Sequence, residues 1–163
     1  MKTSLHFQLA FVVAVFLGGS TLLMATESPQ YGLAAQNHIY AQKLVNDIAS
    51  SHPELVAVGL HCVPPGDSRQ SIVASTLNVI GKPSDPEDIV HGSTTIAPSN
   101  KAPKLGIMMP LHDRAAQEIG SLALQFKYQK GDDQVKLLAQ ATVIRDRVAR
   151  EIPDLAGLFA TQP

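Results

Sequence analysis

The sequence predicts a single α+β domain. Two stretches place apolar residues at three-and-four spacing, as amphipathic helices do, and between them lie apolar runs bounded by Pro, Gly and Asp clusters, as strands are. No repeat period and no low-complexity linker divides the chain, so one domain accounts for most of its 163 residues.

The elements follow in order. Over 36–50, Tyr40, Ala41, Leu44, Val45 and Ile48 form one helical stripe. His52-Pro53 ends it, because proline drives its predecessor out of helical geometry. The valine-rich run 55–63 is a strand closed by the turn Pro64-Pro65-Gly66-Asp67, with 71–75 as its hairpin partner. Between 76 and 104, Gly81, Pro83, Pro86, Gly92, Pro98 and Pro103 interrupt every candidate element. Within this loop-rich insert, Asp85-Pro86-Glu87-Asp88 opens a short helix through Val90. Runs 105–111 and 119–128 form a second hairpin about the polar turn 112–117. Gly131-Asp132-Asp133 then opens a last helix that runs to Glu151, with Leu137, Ala141, Ile144, Val148 and Ile152 as its stripe and Pro153 as its stop.

The N-terminal residues read as an address. Lys2 precedes an apolar run over 9–17, followed by Gly18, Gly19, Ser20 and Ala25, which is the order of a secretory signal peptide. Cleavage follows Ser20 or Ala25; the competing reading is an uncut anchor, because 9–25 lies at the low edge of bilayer-spanning length. The expected organisation is a signal peptide over 1–25 and one domain over 26–163, placed in the periplasm or secreted.

Composition excludes several classes. A net charge of -1, with Lys+Arg 13 against Asp+Glu 14 and few aromatic residues, offers neither a basic field nor a stacking platform for nucleic acid. Cys62 is the single cysteine, so no disulfide forms within the chain and no Cys-x-x-Cys metal knuckle exists.

Strand parity locates the face of interest. On the first strand Val56, Val58, Leu60 and Cys62 share one side and Ala57, Gly59 and His61 the other; on the last, Leu122, Leu124, Phe126 and Tyr128 oppose Ser121, Ala123, Gln125 and Lys127. The apolar side must be covered by the two helices. The small and polar side, with the insert 76–104 to fold over it, is either a pocket of small walls with a few polar groups or a wetted sheet face.

Two groups of residues, Ile72-Val73-Ala74-Ser75 with Val79-Ile80-Gly81-Lys82, and Pro110-Leu111-His112-Asp113 with Glu118-Ile119-Gly120-Ser121-Leu122, occur in this order of elements. Over 36–128 the chain resembles the extracellular sensor domains of the Cache (PAS-like, PDC) type. The resemblance implies an antiparallel PAS-like sheet with a long N-terminal helix and a C-terminal helix. It also implies capture of a small carboxylate or amino acid on the sheet face, with Asp113 matching a turn aspartate that meets a ligand amine. Most members feed a cytoplasmic output module, whereas this sequence carries none, so a membrane sensor protein is expected as partner.

His61-Cys62 suggests a metal, yet adjacent strand residues point to opposite sides, and Cys62 falls on the core side as an inert buried thiol. No nucleophile elbow, dinucleotide glycine pattern or Walker motif is present, and the acidic pairs sit where helix N-termini favour negative charge. No cofactor and no turnover are expected. The expected ligand-binding residues are His61, Gln125 and Lys127 on the sheet, with Ser75 and Asp113 at its rim. The expected function is binding or sensing of a small metabolite; the alternative is a ligand-free protein-interaction domain.

Overall fold

In a computed structural model, residues 38–84 and 92–162 are described. The proposed signal peptide, the first residues of the expected N-terminal helix and the whole of the short helix expected from Asp85 through Val90 lie outside them. The elements are α1 (Tyr40–Ser51), β1 (Leu55–Cys62), β2 (Ser71–Ser75), β3 (Thr95–Pro98), β4 (Lys104–His112), β5 (Glu118–Lys127), α2 (Gln134–Glu151) and α3 (Leu155–Leu158). The strands form one sheet in the order β2-β1-β5-β4-β3, with every neighbouring pair antiparallel. An antiparallel sheet flanked by an N-terminal and a C-terminal helix is the α+β arrangement of PAS-like domains.

Both long helices pack on the same face of the sheet, α1 over β1 and β2 and α2 over β4 and β5. The apolar stripes meet there. Leu44, Val45 and Ile48 of α1 and Ala141, Ile144 and Val148 of α2 are buried with Val58, Leu60, Ile107, Met109, Leu122, Leu124 and Phe126. Asp133 caps α2, its carboxylate accepting from Lys136 N at 3.1 Å. The start of α1 is held by the far end of the chain instead, because Tyr40 N donates to Ala160 O, Gln162 N donates to His38 O, and Ile39 bridges Thr161.

Two departures from the sequence reading, at Val56 and at β3, have local causes. Val56 is 44% exposed although parity places it with the core, because β1 carries an extra residue between the Leu55–Phe126 and Ala57–Gln125 pairs and the strand turns over there. Cys62 stays on the core side as expected; the irregularity at this end of β1 is absorbed by Val73, the extra residue on β2 between the partners of Leu60 and His61. β3 arises inside the insert as a four-residue edge strand ending in Pro98, a residue tolerated where no further strand must be paired.

Candidate functional site

The sheet's second face is built in rows set by the register. The first row runs Ile72, His61, Ser121, Pro110; the next runs Ser75, Gly59, Ala123, Met108, Thr95; the third runs Ala57, Gln125, Gly106, Ala97. Five of the residues in the two lower rows are Gly or Ala. They make a shallow trough with little side-chain height, between a polar row at one end and polar side chains at the other. Ser121 and Gln125 are four residues apart on β5, so these ends are about 13 Å apart.

The His61 end is closed. His61, Ser75 and Ser121 are buried along with Ala57 and Gly59. The described part of the insert returns along the free edge of β2: Ile72 N donates to Lys82 O, Gly81 N to Ile72 O and Ser84 N to Gln70 O. From that edge the Ser84 hydroxyl lies 3.1 Å from His61 Nδ1, and the Gln70 amide donates to Ser121 Oγ at 3.2 Å. A Ser–His contact is one part of nucleophilic chemistry. Here it ties the returning segment to the sheet. Among the described residues there is no cluster of three or more His, Cys, Asp or Glu that could hold a metal.

The opposite end is half open. Lys104, directly across from Lys127, turns its ammonium to Gln125 and donates to Oε1 at 2.8 Å. Lys127 is exposed, and its ammonium donates to Pro53 O at 2.7 Å in the turn between α1 and β1. Gln125 and Lys104 therefore face the trough together, and Lys127 is tied to its rim.

The two residues taken from the family resemblance have local backbone partners. The Ser75 hydroxyl donates to Val58 O at 3.3 Å and accepts from Leu77 N at 3.0 Å, holding the chain as it leaves β2. Asp113 lies beyond the sheet in the β4–β5 turn, where its Oδ1 accepts from Ala115 N at 2.8 Å and Gln117 N at 2.9 Å. This double acceptance supports Ala116 at φ 61, a conformation that L residues seldom adopt. Lys104 and Ser84 were not anticipated from the sequence. Only the cross-strand register, with Lys104 opposite Lys127 and Gly106 opposite Gln125, brings Lys104 to the site.

On the other side of β1, burial pushes the Cys62 thiol up to about 12. The thiol stays protonated and belongs to the core, as parity required.

No family model and no curated protein matches the chain. Among solved structures it is similar to the GAF domain of a two-component sensor histidine kinase from Bacillus halodurans, at 14% identity and a TM-score of 0.48, covering 68% of this chain and 91% of that one. The inducer-binding domain of the transcription factor PobR from Acinetobacter gives 11% identity and 0.45 over 71% of this chain and 96% of that one. A type II free methionine-R-sulfoxide reductase from Thermoplasma acidophilum gives 10% and 0.43 over 75% and 93%. The likeness is one of fold, the PAS-like arrangement described above, and it singles out neither the Cache family nor a secreted single-domain form. These structures include an enzyme as well as regulators. The expected periplasmic or secreted placement is corrected by the same comparison. The similar structures include a transcription factor's inducer-binding domain and the Agobacterium tumefaciens repressor BlcR, and none of those named is described as periplasmic or secreted.

Proposed function

We propose that the domain binds a small carboxylate or amino acid on the second face of its sheet, without turnover, and passes occupancy to a signalling protein. The observation that supports this most directly is the Gly/Ala trough ending at the Lys104–Gln125 pair. A low floor of Ala123, Gly106 and Ala97 leaves room for a planar or short ligand, and a half-exposed ammonium beside an amide suits a carboxylate by charge and by hydrogen bonding. His61, with Ser121 beside it, would bound the ligand at the buried end. Lys127, Ser75 and Asp113 act from the rim, the last two by holding the backbone that frames it.

The test is a thermal-shift series of the full-length chain against carboxylates and amino acids. A ligand that binds only the folded state, present at about 100 times its dissociation constant, adds roughly 2.7 kcal/mol of stability. The shift is expected to vanish in Lys104→Ala, which removes the cation, and in Ala123→Leu, which fills the floor. A flat series with the wild type, or a shift that survives both substitutions, overturns the reading.

A further inference from the structure

Gly106 stands inside β4, between β5 and β3, and nothing among the described residues calls for glycine there. Its φ lies outside the left-handed region, and a Cβ placed on it would meet only Ala97 O, at 3.6 Å, an ordinary contact. Both ladders run regularly past it, so it marks no bulge. Glycine within a strand costs conformational entropy and packs nothing; where no bulge or bend needs it, it marks a close approach to the backbone by another molecule or chain. Gly59 on β1 is different. A Cβ there would meet His61 Nε2 at 3.5 Å and Ala123 Cβ at 3.8 Å, so the protein itself fills that space.

The gap over Gly106 has chemically distinct ends. On the same side of β4 the flanking residues are Lys104 and Met108, about 13 Å apart at Cα, and the cross-strand neighbours of Gly106 are Gln125 and Ala97. Lys104, Gly106, Met108 and Gln125 are all partly exposed. The Lys104 ammonium, held on Gln125 Oε1 at 2.8 Å, keeps two further hydrogens to donate.

We propose that Gly106 is the seat of the ligand, and that the ligand is a monocarboxylate with one flat apolar body, an aryl acid or a short straight-chain acid. This rests on the reading of the trough as a carboxylate site and narrows it. The carboxylate takes the Lys104 ammonium, the body lies on the Gly106 backbone, and its far end abuts the Met108 thioether, a soft group that suits a ring edge or a methylene chain. Once the side chains at either end are allowed for, about half of the 13 Å remains, the length of one ring or a short chain. A second carboxylate at the far end would lose water against Met108 without gaining a partner. The α-ammonium of an amino acid would stand beside the Lys104 ammonium, and like charges so placed oppose binding.

Isothermal titration calorimetry of the full-length chain tests this, with benzoate and hexanoate as probes and alanine and succinate for comparison. Saturable binding of benzoate or hexanoate is expected, at least about tenfold tighter than that of alanine or succinate. Gly106→Val is expected to weaken it at least about tenfold while the ligand-free melting temperature holds or rises, because a β-branched side chain favours a strand. Should Gly106→Val melt lower, Gly106→Ala, whose added carbon meets only Ala97 O, carries the same comparison. Met108→Gln, of similar length but polar, is expected to weaken benzoate several-fold. Binding of alanine or succinate in place of the apolar acids, lost in Lys104→Ala, would overturn the proposal and leave the carboxylate reading standing. Benzoate and hexanoate binding unmoved at Gly106 would overturn the seat, and no binding of any probe would overturn both.

Discussion

Gly120 is where the sheet tolerates nothing but hydrogen. Its φ is 151, and a Cβ placed on it would stand 2.1 Å from His61 O, 2.8 Å from Cys62 Cβ and 3.0 Å from Cys62 Cα. The obstacle is backbone of the neighbouring strand, so no rotamer change relieves it. In Gly120→Ala, β5 must withdraw from β1 by at least about 0.9 Å to restore the closest separation real Cβ atoms show, opening the ladder beside the His61–Ser121 pair. One or two disturbed ladder hydrogen bonds cost about 1 kcal/mol each, and the unfavourable φ adds roughly 1–3 kcal/mol, for a total of about 3–4 kcal/mol. Gly66→Ala is the control: φ is +82, nothing lies within 4 Å of its Cβ, and the cost is the conformational one alone, about 1 kcal/mol. In urea unfolding followed by circular dichroism, with a slope near 1.5–2 kcal/mol/M, the midpoint is expected to fall by about 2 M for Gly120→Ala and by roughly 0.5 M for Gly66→Ala. Equal midpoints for the two variants would refute the reasoning, since they share the glycine effect and differ in the clash.

The other expectations concern the core. The native Cys62 thiol is raised from 9.0 to about 12, so its contribution to stability is complete below pH 9 and is lost as pH rises towards 12. By pH 11 the unfolded state gains on the order of 2–3 kcal/mol from this group, and the stability of Cys62→Ala should lack that component of the alkaline decline. The buried side chain of Gln42 donates to Ser75 O at 3.1 Å and accepts from Ser75 N at 3.0 Å, tying α1 to β2. Gln42→Leu keeps the bulk but leaves both backbone groups without this partner; an expected loss of about 2–4 kcal/mol is checked by the same urea titration, and a loss under about 0.5 kcal/mol would contradict it.

Much of the fold is legible locally. The stripe Leu44, Val45, Ile48 faces the core because helical periodicity allows it nowhere else, and the alternation of Leu122, Leu124 and Phe126 with Ser121, Ala123 and Gln125 separates the two faces of β5 before any partner strand is known. What was illegible depends on register. Val56 leaves the core because of one extra residue relative to β5, and Thr95–Pro98 is a strand only because β4 lies beside it. The candidate site divides in the same way. His61 and Gln125 followed from parity, whereas Lys104 and Ser84 reach it across the sheet and along its edge. Gln42, a polar residue at the edge of an apolar stripe, gave no sign that both its amide atoms would serve one distant residue.

The pairing of Ile39 with Thr161 has a consequence for how this unit can be carried by a polypeptide. Its entrance and its exit are neighbours, clasped by Tyr40 N on Ala160 O and Gln162 N on His38 O. A host protein could take residues 38–162 into one of its surface loops without spreading the ends of that loop, and a short peptide joining the two ends would allow new termini to be opened elsewhere. The same clasp makes the two ends mechanically dependent on each other. Tension on either terminus loads this short bridge first, and once it parts, α1 loses the anchor at its first turn.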